Sequence, residues 1–209
     1  SPIQVVNLIL DDVRTKGDHS VRDFTSKFDG VNLESLDVSS KTIAEAYSEL
    51  NPKLVDALHL AKDRILEFHS AYLPKSWMDF SKGYGLIIKP VNRVGVYIPA
   101  NLSSTVLMTV IPAKVAGVNE IIVTTPSKSN GTPNPAVLVA ADIAGADRVF
   151  SVGGAQAIAA MSFGTQTIPK VDMICGPGNI FVTLAKKMVF GEVGVDGLYG
   201  PTETVIIAD

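Results

Sequence analysis

Residues 93–189 set the fold: RVGVYI (Arg93–Ile98), STVLMTVIPAKVAG (Ser104–Gly117), EIIVTT (Glu120–Thr125), NPAVLVAADIAGA (Asn134–Ala146), RVFSV (Arg148–Val152), GGAQAIAAMSFG (Gly153–Gly164), VDMIC (Val171–Cys175) and NIFVTLAKKMV (Asn179–Val189). Short β-branched runs alternate with longer runs rich in small and apolar residues, the rhythm of successive βαβ units and a parallel sheet. The short runs are apolar throughout instead of alternating, as expected of strands covered by helices on both faces. The expectation is an α/β fold, a Rossmann-like doubly wound parallel sheet over residues 94–209. A last strand is read in ETVIIAD (Glu203–Asp209). Because the chain stops where that strand finishes, it reads as cut short.

Residues 1–93 have a different texture, mainly helical and read as part of a first, incomplete α/β domain. Helical stripes are expected at Val5, Leu8, Ile9 and Val13, at Ile43, Ala46, Tyr47 and Leu50, and at Leu54, Leu58, Ala61, Ile65 and Phe68. Ser39 or Ser40 is positioned to cap the second segment, and Asn51-Pro52 supplies a cap and first-turn proline for the third. Polar stretches at Lys27–Asn32 and Pro74–Lys82 separate the pieces, and Gly83–Lys89 alternates like a strand.

The 209 residues are 46% hydrophobic and 19% charged, with a formal net charge of -3. That balance suits a globular enzyme and speaks against nucleic acid or an anionic membrane as partner. Ser104–Val118 is the longest apolar run, and Pro112 and Lys114 interrupt it short of the roughly 18 residues of a membrane span. One cysteine, Cys175, excludes an internal disulfide and suits a reducing cytoplasm. The N-terminal residues form no secretory leader.

Open α/β sheets bind ligands beyond the carboxyl ends of their strands. Four junctions there carry glycine or proline: Tyr97–Asn101, Gly153–Gln156, Gly176–Asn179 and Gly200–Glu203. Each turn has a plain structural reading, but several along one sheet edge point to a nucleotide-type ligand approaching backbone amides. Neither a GxGxxG fingerprint nor a Walker sequence is present. Gln156 and Asn179 can offer amides to a ribose or carboxamide, or cap helices. Tyr97 can stack or donate, or pack. His19, His59 and His69 have no metal-ligand spacing, and Cys175 reads as a buried inert thiol, its place at a strand end leaving a site-lining role open.

VGGAQAIAAMSFGTQTIPKVDMICGPGN (Val152–Asn179) closely resembles the signature stretch of histidinol dehydrogenases. RVGVYIP, STVLMTVIPAKVAG, FTSKFDG and PTETVIIAD resemble other segments of that family. The resemblance implies a cytoplasmic, zinc-dependent homodimer that oxidises the small-molecule alcohol L-histidinol through its aldehyde to L-histidine, using NAD. It implies cofactor contacts at Tyr97, Gln156 and Asn179 and a substrate contact at Thr202. The family's zinc ligands and Glu-His acid–base pair are expected downstream of Asp209, so no catalytic or metal-binding residue is assigned here and the chain alone is expected to be inactive. PANLSST (Pro99–Thr105) and DGLYGPT (Asp196–Thr202) depart from the family pattern and keep open a relative acting on another small polar alcohol. A non-catalytic nucleotide- or partner-binding module is the reading from a different class.

Overall fold

The computed structural model describes residues 1–198 and Val205. Four helices come first: α1 (Pro2–Lys16), α2 (Asp18–Asp29), α3 (Ser40–Ser48) and α4 (Pro52–Tyr72). An antiparallel pair follows, β1 (Trp77–Asp79) with β2 (Tyr84–Leu86). Then come β3 (Arg93–Tyr97), α5 (Ser103–Val115), β4 (Glu120–Thr124), α6 (Pro135–Ala144), β5 (Arg148–Phe150), α7 (Gly154–Phe163), β6 (Met173–Cys175), α8 (Ile180–Val189) and β7 (Gly194–Val195).

Strands β3 to β7 form one parallel sheet in the order β5-β4-β3-β6-β7. The chain starts at the centre, steps outward through β4 to β5, then crosses back to lay β6 on the other side of β3. Alternation along the strands sends Val94, Val96, Ile121, Val123 and Val149 into a core shared with α3 to α6. Tyr97, Ile122, Phe150 and Ile174 enter a second core shared with α1, α2, α7 and α8. Both faces are covered, which is why the strands carry no polar alternation. The fold is α/β and doubly wound.

The N-terminal helices supply part of both layers, and their faces differ in detail from the sequence expectation. On α1 the buried stripe is Val6, Ile9, Leu10 and Val13, while Val5 and Leu8 are exposed. The helix is turned by one position because α7 and α8 both pack on it. On α4 only Leu58 is fully buried, and Phe68 is 66% exposed. Ser39, not Ser40, caps α3 by accepting from the Thr42 amide, and Asn51 caps α4 by accepting from the Lys53 amide.

Three elements go beyond the sequence expectation. Helix α2 is absent from it, although Val21, Phe24, Thr25 and Phe28 recur at helical spacing; the first three are buried. Strand β1 lies inside the stretch read as a polar separator. Strand β7, with two residues, is too short to leave a pattern. The strand expected over Glu203–Asp209 lies outside the described residues apart from Val205. Among the described residues no helix is long and apolar enough to cross a membrane.

Candidate functional site

The chain leaves β3 for one half of the sheet and β6 for the other, so their carboxyl ends open a crevice at the topological switch point. A cavity of about 450 Å³ occupies this place. Tyr97 from the end of β3, Gly154 and Gln156 from the start of α7, and Asn179 from the start of α8 line it. Val5 and Ile9 of α1, Phe28 and Asp29 of α2, and Phe181 supply the rest of the wall beside Pro126. Three residues far apart in sequence and singled out from it, Tyr97, Gln156 and Asn179, therefore face one space. A cleft of similar volume along α4, lined by Arg64, Glu67 and Phe68 among others, draws on a single helix and brings no strand end or helix start together.

Each polar group in the cavity has a distinct situation. The Tyr97 hydroxyl accepts a hydrogen bond from the Gly154 amide at 3.3 Å. Burial pushes the Tyr97 phenol up; the Gly154 amide opposes this and the nearby Asp29 charge adds to it. Gly154 itself has φ +63°, and a Cβ there would stand 2.6 Å from Gln156 Oε1, so the turn needs glycine. Gln156 is 1% exposed, and its Nε2 has no hydrogen-bond partner. Such a donor is costly unless something else satisfies it. Asn179 Oδ1 caps α8, accepting from the Phe181 and Val182 amides at 3.0 and 3.1 Å. The capping role is thus real, and it leaves the Asn179 Nδ2 group without a protein partner among the described residues.

The Gly176–Asn179 turn that presents Asn179 is clamped from below. Lys186, buried on α8, donates to the Gly176 carbonyl at 3.0 Å and pairs with Asp196 Oδ1. Asp196 Oδ2 accepts the Gly176 amide at 2.8 Å. One ammonium and one carboxylate therefore satisfy both backbone groups of Gly176. Neither Lys186 nor Asp196 is assigned a role from the sequence. Cys175 sits just before this turn. Burial pushes its thiol up to about 11, with the Asp196 charge raising it further and Lys186 opposing, so it stays protonated at neutral pH and is a poor nucleophile.

Asp29 and Phe28 also escape the sequence reading because α2 is not recognised there. Asp29 Oδ2 is buried without a partner, and burial pushes the carboxyl up. The histidines stay apart: His19 lies on the surface 3.3 Å from Asp23, and His69 stands edge-on to Phe68. Among the described residues no group of three or more His, Cys, Asp or Glu side chains can hold a metal ion. Thr202, the expected substrate contact, lies outside the described residues.

The family model for histidinol dehydrogenase matches residues 2–209. A histidinol dehydrogenase of Dehalococcoides mccartyi (strain CBDB1) is 51% identical over 212 residues, covering 100% of this chain and 49% of the relative. That of Clostridium acetobutylicum is 46% identical, covering 99% of the chain and 49% of the relative. The crystal structure of histidinol dehydrogenase from Elizabethkingia anophelis superposes with a TM-score of 0.91 at 35% identity, over 95% of this chain and 48% of that one. The chain spans about half the length of the curated relatives it matches. With the family model running from the second residue to the last and the doubly wound sheet shared with a solved member, the chain belongs to the histidinol dehydrogenase family.

Proposed function

We propose that this chain is the dinucleotide-binding half of an NAD-dependent oxidoreductase that takes L-histidinol through the aldehyde to L-histidine. The observation that carries the reading is the unpartnered, fully buried Nε2 of Gln156 in the switch-point cavity, beside Tyr97 and Asn179. A buried amide donor with no protein acceptor fits a ligand rich in acceptors, as a dinucleotide is. Bound NAD supplies the hydride acceptor. The chain's own residues hold it: Gln156 Nε2 and Asn179 Nδ2 donate to it, Tyr97 offers an aromatic edge, and the start of α7 turns backbone amides towards its phosphates. In this reading residues 94–209 carry the dinucleotide, and residues 1–93 form the helical layer that walls it. Thr202 takes a substrate contact. In the whole homodimeric protein zinc would anchor the substrate; among the described residues no donor set for it is present.

Calorimetric titration of NAD into the chain tests the reading, with Gln156→Leu as the variant. Wild type is expected to bind. The variant is expected to melt no lower, because the orphaned donor is gone, yet to bind at least about tenfold more weakly. Equal affinity in the two proteins, or no binding by either, contradicts it. Chain supplied with histidinol, NAD and zinc is expected to form no NADH.

A further inference from the structure

Asp196 ties the turn that presents Asn179 to the edge strand of the sheet. β7 is two residues long and lies at the sheet edge, paired with β6 at Met173–Gly194 and Ile174–Val195. The Asp196 amide adds one more bond of this kind, to the Ile174 carbonyl at 3.1 Å. Its carboxylate then reaches the turn: Oδ2 accepts the Gly176 amide at 2.8 Å, and Oδ1 pairs with the Lys186 ammonium. That ammonium donates in turn to the Gly176 carbonyl at 3.0 Å. The two side chains are 4% and 21% exposed, so the pair is poorly screened by solvent and held in one geometry. Around it the packing is open. A cavity of about 80 Å³ is lined by Gly176, Pro177 and Gly178 of the turn, by Thr183 and Lys186 of α8, and by Gly197 of the chain leaving β7. Turn and departing chain gain little from dispersion across that gap, which leaves the polar tie through Asp196 to connect them. None of residues 194–198 lines the switch-point cavity, so a ligand held there by Asn179 reaches them through the turn.

Building on the dinucleotide reading above, we propose that Asp196 is a positioning residue that couples the cofactor turn to the sheet edge: a dinucleotide held by Asn179 fixes Gly176–Asn179, and through Asp196 it steadies residues 194–198. The stretch that Asp196 opens continues in sequence to Thr202, the residue given the substrate contact above. Filling the cofactor site thus stiffens the chain that leads to the alcohol. The coupling is reciprocal, so whatever holds residues 194–198 still also strengthens the grip of the turn on the dinucleotide. Asp196 acts through the turn and takes no part in the transfer of hydride.

The test compares backbone amide exchange with and without saturating NAD in the wild-type chain and in Asp196→Asn, which keeps an acceptor for the Gly176 amide but loses the charge that pairs with Lys186. In wild type, NAD is expected to slow exchange at 194–198 by at least about fivefold, together with exchange at the start of α7. In Asp196→Asn the start of α7 is expected to keep its NAD-dependent protection while 194–198 loses it. A purely structural role for Asp196 would change the exchange of the ligand-free chain and leave no response to NAD at 194–198. Should the variant fold poorly, the wild-type response at 194–198 decides alone. Protection of α7 with no change at 194–198 in wild type, or a response at 194–198 that survives in Asp196→Asn, overturns the coupling and leaves the dinucleotide reading standing. A wild type in which NAD protects neither segment overturns both.

Discussion

Replacing Gly176 by alanine is expected to destabilise the chain by about 3–5 kcal/mol, the largest effect of any single methyl group at the site. Gly176 has φ +109°, and a Cβ built there collides with the Tyr97 carbonyl oxygen and stands 3.1 Å from its carbon. Both obstacles are backbone of the central strand, so no side-chain rotation relieves the contact. The β6 end and its turn must move away from β3, which breaks the crevice that positions Asn179. Gly191 is the control. Its φ is +100° and nothing lies within 4 Å of its would-be Cβ, so Gly191→Ala meets the same backbone strain without the collision. It is expected to cost only about 1–2 kcal/mol. Urea unfolding followed by circular dichroism separates the two; equal losses would show that strain alone, not the close passage of the turn over Tyr97, sets the demand for glycine.

Lys186→Met is expected to cost about 3–5 kcal/mol, and Lys187→Met next to it less than about 0.5 kcal/mol. The Lys186 side chain is only 4% exposed, yet its ammonium serves both the Gly176 carbonyl and Asp196. Methionine fills the volume but leaves that carbonyl without its donor and Asp196 without this countercharge. Breaking a buried pair from one side is far more damaging than losing an exposed charge, because the remaining group stays desolvated. Lys187 is exposed to solvent. The same unfolding measurement decides it: similar losses for the two lysines would remove the clamp from the account. NAD affinity is expected to fall with Lys186→Met as well, since the turn it holds carries Asn179.

The sheet is legible in the sequence because its strands are buried on both faces and its helices are punctuated by Pro and Gly, signals that act over a few residues. The strand order is not, since only packing decides on which side of β3 the chain returns. Tyr97, Gln156 and Asn179 can be placed at strand ends from sequence, and the fold brings all three to one cavity. Asp29 and Phe28 come from a helix whose buried face, Val21, Phe24 and Thr25, is short and interrupted by charges, so the pattern is weak. Lys186 escapes for a general reason. A lysine beside another lysine at a helix end looks solvated until the carboxylate that pairs with it, ten residues on, is seen in space. The rotated face of α1 has a related cause: Val5 and Val6 are equivalent in sequence, and only α7 and α8 choose between them.

Hydrogen–deuterium exchange of the chain with and without saturating NAD tests the central claim, that the switch-point cavity is the dinucleotide site. Exchange is predicted to slow at the start of α7 around 154–158, at the start of α8 around 179–183 and at 28–31, while α4 and the 77–86 hairpin stay unchanged. Unaltered exchange across those three segments at saturation, or protection confined to the α4 cleft, would contradict the account.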